Sequence, residues 1–194
     1  WGNHDILWMG AAAGSEACIA NVVRNNLKYQ NMSILENGYG ISLRRLLLFA
    51  QEKYPQMDVH NAVYYAITVI LLKLEGQIIK RHPEYKMDDR LLLHKINMED
   101  GTITIEGATY PIDTSLFGSL DKDNPYELSP GEVHVMNSLK YSFANSSRLK
   151  KHVGFLYSKG AIYICCNNNL LFHGCIPLDK DGNFEVVEFD DNLY

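Results

Sequence analysis

Residues Ala62 to Leu72 are apolar apart from Thr68 and two tyrosines, and no other stretch of the chain is apolar for so long. The run falls well short of the roughly 18 residues a membrane span needs, so it reads as a buried helix. Asp58 opens that helix, and Lys80-Arg81-His82 close it before Pro83. Basic residues at that end suit the helix dipole, and proline stops the hydrogen-bond ladder. The centre of the fold is therefore helical.

Other helices are expected around it. Ser15 can cap one that carries Ile19, Val22, Val23 and Leu27 at helical spacing. Gly38-Tyr39-Gly40 breaks the chain, and Ser42 starts a second helix with Leu43, Leu46, Leu47 and Ala50 that stops before Pro55. Ser129-Pro130-Gly131-Glu132 is a capping box with proline at the first helical position, leading into Val133, Met136, Leu139, Tyr141 and Phe143. Between these lie hairpin signals, Asp100-Gly101 ahead of Thr102-Ile103-Thr104-Ile105 and a further turn at Gly107. Strand character returns after Gly160, where Ala161 to Cys165 and Asn169 to Phe172 flank an Asn-rich turn.

Three zones follow. Residues 1–14 are expected to be a strand end that turns through Gly10 to Ser15, 15–159 a mainly helical insertion, and 160–194 a return to strands. The class is α/β (α+β). A length of 194 residues allows one core, or one domain plus an insertion. A net charge of −5 argues against a general polyanion-binding surface, so no nucleic-acid partner is expected. The four cysteines (Cys18, Cys165, Cys166 and Cys175) contain no Cys-x-x-Cys pair, and two are adjacent, which reads as reduced thiols in a cytoplasmic protein. No secretory leader or membrane segment is read from the chain. An acidic chain with an apolar helical insertion is compatible with a homo-oligomer.

Chemistry concentrates at two places. Gly2-Asn3-His4-Asp5 places an amide oxygen beside an imidazole, the pairing with which two-metal phosphoesterases hold a hard cation and protonate a leaving group. Leu170-Leu171-Phe172-His173-Gly174 is an apolar strand that delivers a second imidazole next to a glycine. Asp5 is either a hydrogen-bond partner that orients the motif or a turn acid. Candidate phosphate-binding cations are Arg148, read at the end of the last helix before the returning strand, then Arg44, then Arg24 with its neighbours Asn25 and Asn26; a solvated helix face or an ion pair is the alternative for each. Gly10 to Ser15 lacks the spacing and lysine of a phosphate loop, and Asp179 to Asn183 lacks the closing glutamate of a calcium loop and reads as a hairpin turn. His60, His82, His94, His134 and His152 lack ligand-type partners and read as core or surface residues.

Several segments together resemble the bacterial class III fructose-1,6-bisphosphatases: Trp1 to Ala12, Cys18 to Leu27, Tyr39-Gly40-Ile41 with Leu43-Arg44, Met87 to Leu93, Ser147 to Val153 and Leu171 to Pro177. That family is similar to the calcineurin-like metallophosphoesterases. The resemblance implies a segment of their sandwich carrying a large, mainly helical insertion. It implies hydrolysis of the 1-phosphate of fructose 1,6-bisphosphate in gluconeogenesis, with manganese as the metal. It would make Asn3 and His173 ligands of one metal and His4 the general acid, while the metal-bridging aspartates and the acid that orients His4 are expected outside these residues. Asp5 is grouped with His4 among the catalytic candidates on the residue reading alone. The superfamily's Asp-x-His and Gly-Asp-x-x-Asp-Arg motifs are expected before Trp1 and a Gly-His motif after Tyr194, so the chain is expected to be part of a longer enzyme. A protein phosphatase of the same superfamily, or a non-catalytic sugar-phosphate or partner-binding module, is the alternative.

Overall fold

The computed structural model describes residues 1–118, 120–174, 178–186, 188–189 and 192–193. Its axis is the apolar helix the sequence marks, which spans Val59–Arg81 with Asp58 as N-cap; the Asp58 side chain accepts from the Asn61 N–H. We number this helix α4. Before it come α1 (Asn3–Ala12), α2 (Glu16–Lys28), a π-helical turn (Ile34–Gly38) and α3 (Arg44–Lys53). After it come a three-stranded antiparallel sheet, β1 (Ile96–Asn97), β2 (Thr102–Ile105) and β3 (Ala108–Pro111), and then α5 (Pro130–Asn145) and α6 (Ser147–Lys159). Two small hairpins finish the chain, β4 (Tyr163–Cys166) with β5 (Asn169–Phe172), and β6 (Glu188–Phe189) with β7 (Asn192–Leu193).

By length and composition alone α4 could cross a membrane. Here it is buried on most of its circumference because two apolar clusters share it. Ala62, Ala66, Ile67 and Ile70 face the main core with α1, α2, α3 and α5. Val69 and Ile79 face a second cluster with Leu91, Leu93, Phe117 and Tyr126. A helix that is apolar all round is stable only when covered in this way. Mid-helix, the Lys73 ammonium is fully buried and donates to the Glu132 carboxylate at 2.7 Å, with Glu132 only 1% exposed. The same oxygen accepts the Ser129 N–H at 2.7 Å, so the capping acid of α5 is also the counter-ion of α4. Nearby Tyr54 donates to the Leu116 carbonyl; burial, and then the Glu132 charge, push its pKa to about 12.

Three sequence expectations need correction. Residues 3–12 are helical where a strand end was expected. Gly2 is extended and Asp5 accepts its N–H at 2.8 Å, which starts a helix at Asn3, and Ile6 is the one β-branched residue in the ten that could oppose it. Along α5, Val133 and Tyr141 are exposed, whereas Glu132, Val135, Met136, Leu139 and Phe143 are buried. The cap at Ser129 sets that register and turns the acid inward. The last helical stretch is also broken at Ser146, whose side chain accepts the Leu149 N–H and whose hydroxyl donates to the Tyr39 carbonyl at 2.6 Å. Arg148 consequently stands in the first turn of a new helix, not at the end of the last one.

The remaining turns follow the sequence. Asn167 and Asn168 adopt left-handed backbone between β4 and β5. Asp179 accepts the Asp181 and Asn183 N–H groups, closing a turn beneath the Leu178–Phe184 bridge. Cys18, Cys165 and Cys166 are free thiols; Cys175 lies outside the described residues, as do Ile176 and Pro177.

Candidate active site

The two ends of the helical body lie side by side. The Trp1 backbone nitrogen donates to the Ala161 carbonyl at 2.6 Å, and the Trp1 indole donates to the Leu156 carbonyl at 3.0 Å. This pairing sets the start of α1 beside β5. Asn3 Oδ1 then lies 3.0 Å from His173 Nε2, although 170 residues separate the two in sequence. Gly2 makes the approach possible, since a Cβ there would stand 3.1 Å from the His173 ring. Both side chains are solvent-exposed, so the pair is open to a ligand.

Asn3, His4 and Asp5 form the first turn of α1, where unpaired backbone N–H groups and the helix dipole favour negative charge. Asp5 holds that turn by accepting the Gly2 N–H, a contact within the turn itself. His4 lies on the other side of the turn from His173. It lines a cavity of about 300 Å³ with Trp8, Asn25, Asn26 and Tyr39 among others, while His173, Gly2 and Asp5 line a separate one of about 450 Å³ with residues of the β4–β5 hairpin. A third cavity of about 350 Å³, bounded by residues 93–99 and parts of 120–125, shares no residue with either.

The candidate arginines fall in three places. Arg148 is exposed and donates to the Gly38 carbonyl at 3.1 Å, next to Tyr39 on the rim of the His4 cavity. Arg44 is exposed at the start of α3. Arg24 turns to α4, where it donates to the Thr68 hydroxyl at 3.2 Å and lies over the Tyr64 ring at 5.4 Å. Its neighbours Asn25 and Asn26 point the other way and line the His4 cavity.

Asn3 and His173 offer one amide oxygen and one imidazole nitrogen that converge, a donor pair suited to part of a divalent cation's shell. Among the described residues no group of three or more His, Cys, Asp or Glu side chains could hold a metal. The pair therefore fits part of a coordination shell, with anionic ligands still to be supplied.

The chain belongs to the Firmicute fructose-1,6-bisphosphatase family, whose model matches residues 1–194. It is 49% identical over its whole length to a class 3 fructose-1,6-bisphosphatase of Clostridium beijerinckii and 46% identical to one of Clostridium novyi, covering 32% of each. Over 96% of its length it is 48% identical to a class 3 enzyme of Clostridium botulinum, covering 31% of it. The chain thus spans about a third of the length of the curated relatives it matches. No solved structure matches it at a significant level.

Proposed function

We propose that this chain carries part of the catalytic centre of a cytoplasmic class 3 fructose-1,6-bisphosphatase, which hydrolyses the 1-phosphate of fructose 1,6-bisphosphate. The observation that carries the reading is the 3.0 Å approach of Asn3 to His173, with His4 on the adjacent position of the same helix turn. Asn3 and His173 would hold one side of a divalent metal, with manganese the proposed ion, which when bound would supply positive charge against the phosphoryl oxygens. The first-turn N–H groups of α1 add to that field. His4, offset to the far side of the turn, gives its proton to the departing sugar oxygen. Asp5 keeps the turn in shape by holding the Gly2 N–H. Arg148 and Arg44 are the candidate partners of the second phosphate.

The hairpin supports a calcineurin-like sandwich in the full-length protein. Tyr163, Ile164, Leu170, Leu171 and Phe172 form nearly unbroken apolar runs on β4 and β5, yet each is at least half exposed. Strands apolar on both faces belong inside a layered sheet.

The test is phosphate release from fructose 1,6-bisphosphate by the full-length protein, with manganese and with chelator, against phosphopeptides as controls. We expect metal-dependent release preferring the sugar. His4→Asn should lower turnover about 10²- to 10⁴-fold with metal content unchanged, whereas His173→Ala should lower metal occupancy. Equal metal loss in both variants refutes the role given to His4, and a metallated protein that releases no phosphate refutes the function.

A further inference from the structure

We propose that the cavity beside His4 is the seat of the sugar, and that Asn25 and Asn26 select it by accepting hydrogen bonds from its hydroxyls. The inference rests on the functional reading above and adds the residues that recognise the leaving group. If His4 protonates the departing oxygen, the alcohol that leaves must occupy the space His4 faces. That space is the cavity of about 300 Å³, near the lower end of small-ligand sites.

Its lining has a particular chemistry. Three asparagines (Asn25, Asn26 and Asn31), two tyrosines (Tyr29 and Tyr39) and Trp8 contribute to it, and no Lys, Arg, Asp or Glu does. A wall of neutral amides, phenols and an indole suits a ring that carries hydroxyls, not a phosphate. Two of the amides are already oriented. Asn25 Nδ2 donates to Asn21 Oδ1 at 3.0 Å, and Asn26 Nδ2 donates to the Val22 carbonyl at 2.8 Å. Each amide is thereby held in one orientation by its Nδ2, with its Oδ1 left as an acceptor for a ligand. Trp8 and Tyr39 pack against each other at 5.1 Å, and Tyr39 is braced by His152 at 3.1 Å, giving a stiff apolar wall for the carbon face of a sugar. Two cations flank the lining: Arg148 on the Gly38 carbonyl and Lys28 over the Tyr29 ring at 5.6 Å. A phosphate on the far end of the sugar would meet charge there while its hydroxyls meet amides inside.

The experiment compares kcat/KM for fructose 1,6-bisphosphate and for p-nitrophenyl phosphate in the full-length, manganese-loaded protein. Asn25→Ala and Asn26→Ala should each lower the value for the sugar by about five- to tenfold, and leave the aryl phosphate within about twofold. Tyr29→Phe, which removes one exposed hydroxyl and leaves the fold intact, should shift the ratio in the same direction by about two- to fivefold. An unchanged ratio in all three variants, with the wild type active on the sugar, overturns this assignment and leaves the function standing. A wild type that hydrolyses the aryl phosphate but not the sugar bisphosphate overturns the functional reading and this inference with it.

Discussion

In α4, Ile67 and Ile70 are fully buried, whereas Ile164 and Phe172 of the β4–β5 hairpin are 60% and 54% exposed. The residue types are alike and the sequence patterns equally apolar, so composition does not separate them. What differs is company. The helices α1, α2, α3 and α5 close round α4 within this chain, and burying such side chains stabilises by about 1.5–3 kcal/mol each. The hairpin pairs its own two strands and meets the start of α1 at one end, and its apolar side chains stay largely exposed. The helical body buries its apolar side chains within this chain, and the hairpin leaves most of its own exposed.

The comparison is broken most severely at Lys73. Lys73→Ala removes the ammonium from beside the buried Glu132 carboxylate, and should cost about 3–5 kcal/mol in denaturant unfolding of this chain. The double variant Lys73→Met/Glu132→Leu should recover most of that loss. Next comes Gly76→Ala, because a Cβ there would stand 2.1 Å from the Tyr126 ring. The ring must move, at a cost of about 1–3 kcal/mol; a melting temperature equal to wild type would show that the second cluster yields freely. A smaller effect is expected from pH. Burial, then Lys95 and Lys80, hold the His94 pKa below its usual 6.5. His94 therefore favours the folded state above pH 6.5, and that contribution is lost as pH falls below it. His94→Gln should flatten this part of the stability profile. The least effect belongs to the hairpin: Ile164→Ser should change the unfolding free energy of this chain by less than about 0.5 kcal/mol. The same substitution in the full-length protein should cost several times more, and equal values in the two would deny the hairpin a buried role.

The sequence was most readable where a pattern is local. The caps at Ser15, Asp58 and Ser129, and the turns at Gly101 and Asn167, act within a few residues and stand where expected. Helix α1 was misread because Ile6-Leu7-Trp8-Met9 and the alanines after them are apolar on every side, so no stripe marks a helix. Asn3, His4 and His173 stand out in the sequence because amide and imidazole sit in short glycine-flanked motifs, and the fold brings Asn3 to 3.0 Å from His173. The ion pair of Lys73 with Glu132 was not, since each residue also has a bland local role. Its one sequence signal is a lysine that directly follows the apolar run ending at Leu72, between Leu72 and Leu74. The cavity lining was hidden for a different reason: neutral amides such as Asn25 and Asn26 have no diagnostic spacing, and only the turn of α2 away from Arg24 gathers them beside His4.

The close pairing of Trp1 with Ala161 has a consequence for the order of folding. In a disordered chain, bringing Asn3 to His173 means closing a loop of about 170 residues, and the entropy of that closure is lost for a single contact. Within the body, by contrast, α1 packs on α2 and α3 on α4 through short connections, so these contacts form early. Once they have formed, the ends of the loop already lie together and the remaining closure is nearly free. The donor pair is thus assembled last, by a scaffold that is complete without it, and its appearance in time would report that the helices have finished folding.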